Sequence, residues 1–213
     1  MNEGPAVFVV DDDPSVRRAL TRLIQSVGLV VEAHSSAQEF LDACDPARAG
    51  CLVLDIRMPR VSGLELQQVL AQRQIELPIV FITGHGDVPM SVRAMKAGAV
   101  DFIQKPFQDQ DLLDAIQRAI TRDAEFRRAR VHHADVARRV ALLTPREREV
   151  FALVAQGRMN KQIAAEFGIS EKTVKVHRAR VMEKMHAGSL AELVVLAQAA
   201  GLCTTKVQST SDQ

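Results

Sequence analysis

The first half of the chain alternates short apolar runs with amphipathic helical patterns, and no other sequence feature constrains the fold as strongly. The apolar runs occupy residues 7–10, 29–31, 51–54, 79–82 and 100–103. The first four are continuous rather than alternating in polarity, which is typical of strands buried on both faces of a sheet. A strand followed by a helix, repeated five times, predicts an α/β fold with a parallel sheet.

The second half of the chain shows helical patterns only. Residues 107–144 contain neither Gly nor Pro, so we expect the fifth helix of the α/β domain to continue as a helical linker. Beyond it, Thr144, Asn160, Ser170 and Ser189 each stand where an N-cap residue would open a helix. These signals predict a four-helix domain after the linker.

The charge distribution supports a division into two domains. Residues 1–120 carry 11 Lys and Arg against 16 Asp and Glu, whereas residues 121–213 carry 16 against 10. This asymmetry indicates that the second domain faces an anionic partner. The predicted parts are an α/β domain at 5–122, a helical linker at 123–141, a helix-turn-helix domain at 142–201 and a frayed polar tail at 202–213.

The composition predicts a cytoplasmic protein without a membrane partner. No apolar run approaches the ~20 residues that a membrane helix needs, and the N-terminus lacks the basic region and cleavage site of a signal peptide. Cys44, Cys51 and Cys203 show no metal or redox spacing, as expected in a reducing cytosol. Tyr and Trp are absent, which argues against an aromatic-lined small-molecule pocket.

Charged side chains gather at the predicted carboxyl ends of the strands. In a flavodoxin-like sheet, with strand order 2-1-3-4-5, ligands bind where the order switches between strands 1 and 3. Strand 1 runs into three Asp residues at 11–13, and strand 3 runs into Asp55. Thr83 ends strand 4 and Lys105 follows strand 5. We therefore expect three or four acids, a hydroxyl and an ammonium group at one edge of the sheet.

This combination of groups suits phosphoryl transfer. Crowded carboxylates repel one another, and a hard divalent cation such as Mg²⁺ relieves the repulsion. A carboxylate beside bound Mg²⁺ can attack a phosphoryl group, whose oxygens the cation and a Lys then neutralise. Asp13 alone is better explained as the cap of the first helix, since Pro14 follows it.

Four segments resemble the signature segments of receiver domains in two-component response regulators: VVDDD, LVLDIRMP, FITGHGD and GAVDFIQKPF. The resemblance implies that Asp55 is the phosphoacceptor and that Thr83 and Lys105 contact the phosphoryl group. Phe102 stands where the family has a rotating aromatic residue, more commonly Tyr. The resemblance also implies a site for Mg²⁺ or Mn²⁺ formed by Asp11, Asp12, Asp55 and the backbone carbonyl of Arg57.

Residues 160–185 predict a helix-turn-helix, since Gly168 and Ser170 separate two helical patterns. The second helix is basic, and such a helix places its first turns in the major groove of DNA. The pattern LTPREREVFALVAQG, followed by NKQIAAEFGISEKTVKVHRARVMEKM, resembles DNA-binding domains of the LuxR/NarL/FixJ type, and the FixJ subfamily in particular. Charge and resemblance together predict DNA contacts by Asn160, Lys161, Lys172, Thr173, Lys175, Val176, Arg178 and Arg180.

The two resemblances together imply a response regulator of a two-component system. A sensor histidine kinase would phosphorylate Asp55, two receivers would pair as a homodimer, and the paired DNA-binding domains would bind double-stranded promoter DNA. RNA polymerase is a further expected partner. No enzymatic activity is expected beyond slow Mg²⁺-dependent self-phosphorylation and dephosphorylation.

Three other interpretations remain open from the sequence. One is an atypical regulator that works without phosphate. Another is an aspartate-nucleophile phosphatase, which would usually carry a second Asp where this chain has Arg57. The third is a ligand-sensing regulator of the quorum type, which would need an aromatic-rich pocket in its first domain.

Overall fold

The computed structural model describes residues 4–84 and 88–202. The chain forms two compact units, which divide between Arg127 and Arg128. None of the helices in the described ranges combines the length and the apolar character that a membrane span requires. Residues 203–213 of the predicted tail lie outside the described residues, as do residues 85–87 of the third signature segment.

The first unit is built on a parallel sheet of five strands in the order β2-β1-β3-β4-β5. This order confirms the predicted flavodoxin-like α/β fold. Because the strands are parallel, their carboxyl ends lie at the same edge of the sheet. The strands are β1 (Ala6–Val10), β2 (Val30–His34), β3 (Gly50–Asp55), β4 (Ile79–Thr83) and β5 (Asp101–Gln104).

Helices cover both faces of this sheet, and successive strand residues point to opposite faces. On one face, Phe8 packs in a core cluster with Phe40. On the other face, Val7 packs in a second cluster with Ile24 and Ile116. Burying each such side chain contributes about 1.5–3 kcal/mol, which explains why the strands read as continuous apolar runs. The helices are α1 (Pro14–Ser26), α2 (Ala37–Ala43), α3 (Gly63–Gln72), α4 (Val88–Lys96) and α5 (Asp109–Ala141).

Helix α5 runs without interruption through the predicted linker. Its first turns bury Leu112, Ile116 and Ala119 in the second core cluster of the first unit. Its last turns bury Val136 in the core of the second unit. The helix confirms that the linker is helical, while the boundaries at 123 and 141 stay predictions.

The second unit is helical in the residues that the structure describes. Phe151, Ile163 and Val174 are fully buried in its core cluster. Gly168 ends α7 in the left-handed region, with φ at 65°, which lets the chain turn sharply into α8. This arrangement is the predicted helix-turn-helix. The helices after α5 are α6 (Pro145–Ala155), α7 (Asn160–Phe167), α8 (Glu171–Met185) and α9 (Leu190–Ala199).

One predicted helix cap is wrong. The sequence predicts Asn160 as the N-cap of α7, but Met159 holds that position and Asn160 is the first helical residue. The amide of Met159 donates to Oε1 of Gln162 at 2.9 Å. The Asn160 side chain instead accepts a hydrogen bond from Nη1 of Arg178 at 2.7 Å, a contact between two helices that local patterns do not reveal.

A buried ion pair holds α6 to α8. Nζ of Lys184 donates to Oε2 of Glu147 at 2.6 Å, and the amide of Thr144 donates to the same oxygen at 2.9 Å. Glu147 is only 2% exposed. The bond from Lys184, followed by the bond from the Thr144 amide, lowers the pKa of Glu147 from 4.5 to about 2.

We expect Glu147→Gln to lower the free energy of unfolding of the second unit by about 2–4 kcal/mol at neutral pH. Since the pKa of Glu147 is lower in the folded state than in the unfolded state, its contribution is complete above pH 4.5 and is lost as the pH falls towards 2. Hydrogen exchange of the α8 amides in the full chain measures this loss. Glu166→Gln, at an exposed position on α7, is the matched control. An equal loss in the control would contradict the assignment.

Candidate functional site

The side chains predicted at the edge of the sheet come from the carboxyl ends of four strands. Asp11 directly follows β1, Asp55 ends β3, Thr83 ends β4 and Lys105 follows β5. These strands are neighbours in the sheet. The strand order therefore brings Lys105 and Asp11, which are 94 residues apart in the chain, into direct contact.

Lys105 joins two buried carboxylates. Its Nζ donates to Oδ2 of Asp11 at 2.8 Å and to Oδ1 of Asp55 at 3.1 Å. Asp11 is 2% exposed and Asp55 is 6% exposed. A buried carboxylate needs a partner that replaces its lost hydration, and here one ammonium group serves two acids.

The charges at this site are only partly compensated. Burial raises the pKa of Asp55 above its ordinary value of 3.8, Lys105 lowers it, and the negative charge of Asp11 raises it again, so that the net shift is upward. Burial lowers the pKa of Lys105, but its bonds to Asp11 and Asp55 outweigh burial and leave the pKa raised. The ammonium therefore stays charged at neutral pH, while the surroundings of Asp55 disfavour its ionised form.

The backbone after Asp55 returns close to the end of β3, where α3 begins. The amide of Arg57 donates to Oδ2 of Asp55 at 2.7 Å. Gly63 opens α3 beside the end of β3, and its amide donates to the carbonyl of Ile56 at 2.9 Å. A Cβ at position 63 would lie 2.4 Å from the carbonyl oxygen of Asp55. Only glycine therefore lets α3 begin so close to the candidate site.

Thr83 lies on β4, which pairs with the strand of Asp55, and Phe102 lies on β5, which pairs with β4. Thr83 is fully buried, and its carbonyl accepts a hydrogen bond from the amide of Lys105 at 2.7 Å. Phe102 is partly buried and packs against the core cluster that contains Phe8. Their positions are compatible with the predicted roles, which stay predictions.

A cleft of about 720 Å³ opens where Asp12 and Arg57, both exposed, reach the surface. In residues 4–84 and 88–202, no cluster of three or more His, Cys, Asp or Glu side chains is arranged to hold a metal ion. Mg²⁺, however, prefers one or two carboxylates together with water and other oxygens. The buried carboxylates of Asp11 and Asp55, with Asp12 next to Asp11 in the chain, fit that preference.

Sequence reasoning missed one residue that supports Asp11. Nη1 of Arg17 donates to the carbonyl of Asp11 at 2.7 Å. The amide of Asp13 donates to Oδ1 of Asp11 at 2.9 Å, while the Asp13 side chain caps α1 by accepting from the Ser15 amide at 2.7 Å. The signal for Arg17 was its position in the first turns of α1, four residues after the cap.

Helix α8 divides its residues between a buried and an exposed side. Val174, Val181 and Met185 are buried in the core of the second unit, which agrees with the inward face predicted for them. Lys161 on α7 is also exposed. The predicted contact residues of α8 that face solvent are Lys172, Thr173, Lys175, Val176 and Arg180.

Arg178 and Asn160, two of the predicted contact residues, bind each other. The hydrogen bond crosses from α8 to α7 and holds the Arg178 guanidinium in one place. The second unit thus presents a cationic surface with one guanidinium fixed in advance, which is suited to the phosphate backbone of a nucleic acid.

Two family models match the chain. The model described as "Response regulator receiver domain" matches residues 7–117. The model described as "Bacterial regulatory proteins, luxR family" matches residues 141–197. The first match contains the carboxylate cluster, and the second contains α7 and α8.

Relatives are similar over nearly the whole chain. Nodulation protein W of Bradyrhizobium diazoefficiens is 52% identical over 204 residues, which are 96% of this chain and 90% of that protein. Transcriptional regulatory protein FixJ of Azorhizobium caulinodans is 47% identical over 202 residues, which are 95% of this chain and 96% of that protein. The solved structure of response regulator StyR matches with a TM-score of 0.80 at 52% identity, covering 91% of this chain and 98% of that chain.

We expect Asp55→Asn to raise the thermal midpoint of the first unit by a few degrees at neutral pH in chelator-treated protein. The pKa of Asp55 is raised by folding, so its ionised form opposes folding, and the gain should vanish below about pH 3.8, where the carboxyl is protonated in either state. Calorimetry measures the midpoint. Asp42→Asn, on an exposed turn of α2, is the control. A lower midpoint for Asp55→Asn would mean that the attraction of Lys105 outweighs burial.

Proposed function

The chain belongs to the two-component response regulators that carry a receiver domain and a LuxR-type DNA-binding domain, and from that premise we propose that phosphorylation of Asp55 controls its binding to promoter DNA. The observation that carries the proposal is the ammonium of Lys105 shared between two buried carboxylates at the switch point of the sheet. The receiver match over residues 7–117 argues against both the phosphatase and the quorum-type interpretation.

Asp55 is the nucleophile in the proposed reaction. One of its carboxylate oxygens attacks the phosphorus of a phosphohistidine on a sensor kinase, the new O–P bond forms as the P–N bond breaks, and the imidazole leaves. Lys105 can then exchange its bond to Asp55 for a bond to a phosphoryl oxygen, because one ammonium already reaches both acids. Small-molecule phosphoryl donors would react slowly at the same atom, and water would slowly remove the group.

A divalent cation fits the same donor set. A Mg²⁺ or Mn²⁺ ion held by Asp11, Asp12, Asp55 and the carbonyl of Arg57 would supply the positive charge that lets an anionic phosphoryl group approach the carboxylates. Arg17 and the amide of Asp13 keep Asp11 in place for that role through their bonds to its carbonyl and its Oδ1.

Thr83 and Phe102 form the proposed switch. The phosphoryl group adds a charge of roughly −2, and the hydroxyl of Thr83 can donate to one of its oxygens. Movement of Thr83 at the end of β4 changes the space beside Phe102, since β4 and β5 are neighbours. This motion would reshape the surface formed by α4, β5 and α5.

Two surfaces of the first unit support the proposed partners. A groove beside Lys105 is lined by apolar side chains of α1 and by Pro106 and Phe107, and we assign it to the sensor kinase. Helix α4 exposes three apolar side chains, and we assign this face to pairing with a second receiver. The exposed fractions are 76% for Val88, 44% for Val92 and 44% for Met95.

The second unit would read DNA through α8. Exposed cations on this helix suit phosphates, and Val176, which is 45% exposed, suits contact with a thymine methyl group in the major groove. Paired receivers would bring two such helices to half-sites about 10 base pairs apart. A regulator of this kind works where the chromosome lies, in the cytoplasm.

We expect Asp55→Asn to reduce phosphate uptake from a partner kinase or from acetyl phosphate to background, because the attacking oxygen is replaced by an amide. Radiolabel on the full chain in the presence of Mg²⁺ measures uptake. Asp13→Asn is the matched control, since Asn preserves the cap of α1 and leaves the Asp11–Lys105–Asp55 contacts in place. Unchanged uptake by Asp55→Asn would reject the acceptor assignment, and catalytic rather than stoichiometric phosphate release would favour an enzyme.

We expect Lys175→Ala to weaken promoter binding by about tenfold and to reduce the salt dependence of the affinity by about one phosphate contact. Titration of the phosphorylated full chain with promoter DNA at several salt concentrations measures both. Arg18→Ala removes an exposed cation from the first unit and should leave affinity and slope unchanged. If Lys175→Ala behaves like this control, α8 is not the recognition helix.

A further inference from the structure

A second buried charge cluster lies at the opposite end of β3 from Asp55. Asp123, on α5, is 2% exposed. Its Oδ2 accepts a hydrogen bond from the amide of Gly50, the first residue of β3, at 2.9 Å, and another from Nε of Arg127 at 2.8 Å. One carboxylate oxygen therefore joins the start of the strand that carries Asp55 to the helix that continues into the linker.

Arg127 extends this contact to the loop before β3. Its Nη1 donates to the carbonyl of Ala47 at 2.9 Å, and its Nη2 donates to the carbonyl of Arg48 at 2.6 Å and to that of Pro46 at 3.5 Å. The planar guanidinium thus binds three loop carbonyls while it neutralises Asp123. A Lys at this position carries the charge but lacks the rigid fork that reaches several acceptors at once.

The strand end that Asp123 holds has little freedom to move. Gly50 has φ at 152°, and a Cβ there would lie 1.8 Å from the carbonyl oxygen of Ala6 on β1. The amide of Ala6 also donates to the carbonyl of Ala49 at 2.9 Å. The Gly50 amide is therefore a fixed donor, against which Asp123 sets the position of α5.

The place of this pair along α5 indicates what it does. Arg127 is the last residue of the first unit, and each of the next seven residues, 128–134, is exposed. A helical stretch with solvent on all sides has no tertiary packing of its own to hold it. Asp123 and Arg127 are thus the last contacts that fix α5 to the first unit before the helix enters solvent.

We propose that Asp123 and Arg127 form an anchor that transmits the phosphorylation state of Asp55 into the linker, an inference that rests on the function proposed above. Strand β3 carries Asp55 at one end and is tied to α5 at the other. Because the anchor fixes α5 beside Gly50, a tilt of the helix on the sheet turns about this point and moves the residues beyond Arg127. Without the anchor the helix is free of the loop before β3, and the movement is lost. Asp123 and Arg127 are positioning residues, since they lie away from the reacting atoms.

The first measurement reports whether the anchor holds α5. Cys51 is buried in the core cluster that contains Ile116 and Ala119 of α5 and Ile24 of α1, so a thiol reagent reaches it only when a helix over this cluster opens. Burial raises the pKa of its thiol to about 12, and the charge of Asp123 acts in the same direction. In the full chain with Cys44→Ser and Cys203→Ser, Cys51 is the single reporter of this opening.

We expect Arg127→Ala to speed the labelling of Cys51 by about tenfold, and Arg127→Lys to restore part of the protection. Arg122→Ala is the matched control, because it removes an exposed cation from the same helix whose contact with the ring of Phe126 stays within α5. It should label at the parent rate. Equal labelling of the Arg127→Ala chain and its parent would show that the pair does not hold α5, and would overturn the inference.

The second measurement separates transmission from simple stability. We compare the promoter affinity of the full chain with and without phosphate on Asp55. We expect Arg127→Ala to reduce the ratio of these two affinities by about tenfold. Its phosphate uptake and its unphosphorylated affinity should stay within about twofold of wild type. Arg127→Lys should recover part of the ratio, and Arg122→Ala should keep all of it. A parallel fall in phosphate uptake and melting temperature would show a structural role only and overturn the inference.

Two remaining outcomes distinguish the inference from the function on which it rests. A wild-type chain whose promoter affinity ignores phosphate would overturn the proposed function, and this inference with it. A phosphate-dependent wild-type chain with an equally dependent Arg127→Ala variant would overturn the inference alone.

Discussion

One ammonium group shared by two buried acids is the interaction on which the rest of the first unit depends. Lys105 reaches both Asp11 and Asp55, yet a single positive charge does not balance two negative charges in a poorly solvated space. Burial, and to a smaller extent the charge of Asp11, raises the pKa of Asp55 despite the attraction of Lys105. The apolar clusters on the two faces of the sheet supply the burial energy that keeps such an unfavourable group of charges together.

In the second unit the pKa of a buried acid shifts in the opposite direction. Glu147 accepts from the Lys184 ammonium and from the backbone amide of Thr144, and its pKa falls to about 2. Asp55 shares its Lys with another acid, and its pKa rises. The same functional group therefore stabilises one unit and weakens the other, because burial outweighs the donors at Asp55, whereas the ammonium and the amide outweigh burial at Glu147. A site that must respond to new charge gains from being under-compensated, whereas a structural contact gains from full compensation.

Much of the fold and part of the site could be predicted because their signals are local. Apolar period and helix caps indicated the strands and helices, and the rule for parallel sheets placed Asp11, Asp55 and Lys105 at one edge. Contacts between distant segments have no such signal. The Asn160 side chain accepts from Arg178 instead of capping α7, the position that its residue type favours. Arg127 binds carbonyls some 80 positions earlier in the chain. Both depend on how helices meet, which residue patterns do not specify.

Two glycines bracket the strand that carries Asp55, and they limit how the chain can evolve. Any replacement of Gly50 or Gly63 adds at least a Cβ, which would lie 1.8 Å from a carbonyl oxygen of β1 in the first case and 2.4 Å from that of Asp55 in the second. Substitutions can therefore accumulate in the cleft walls and on the exposed faces of the helices, whereas Gly50 and Gly63 do not tolerate replacement. A lineage of such proteins can acquire new partners and new promoters without changing the frame that presents Asp55.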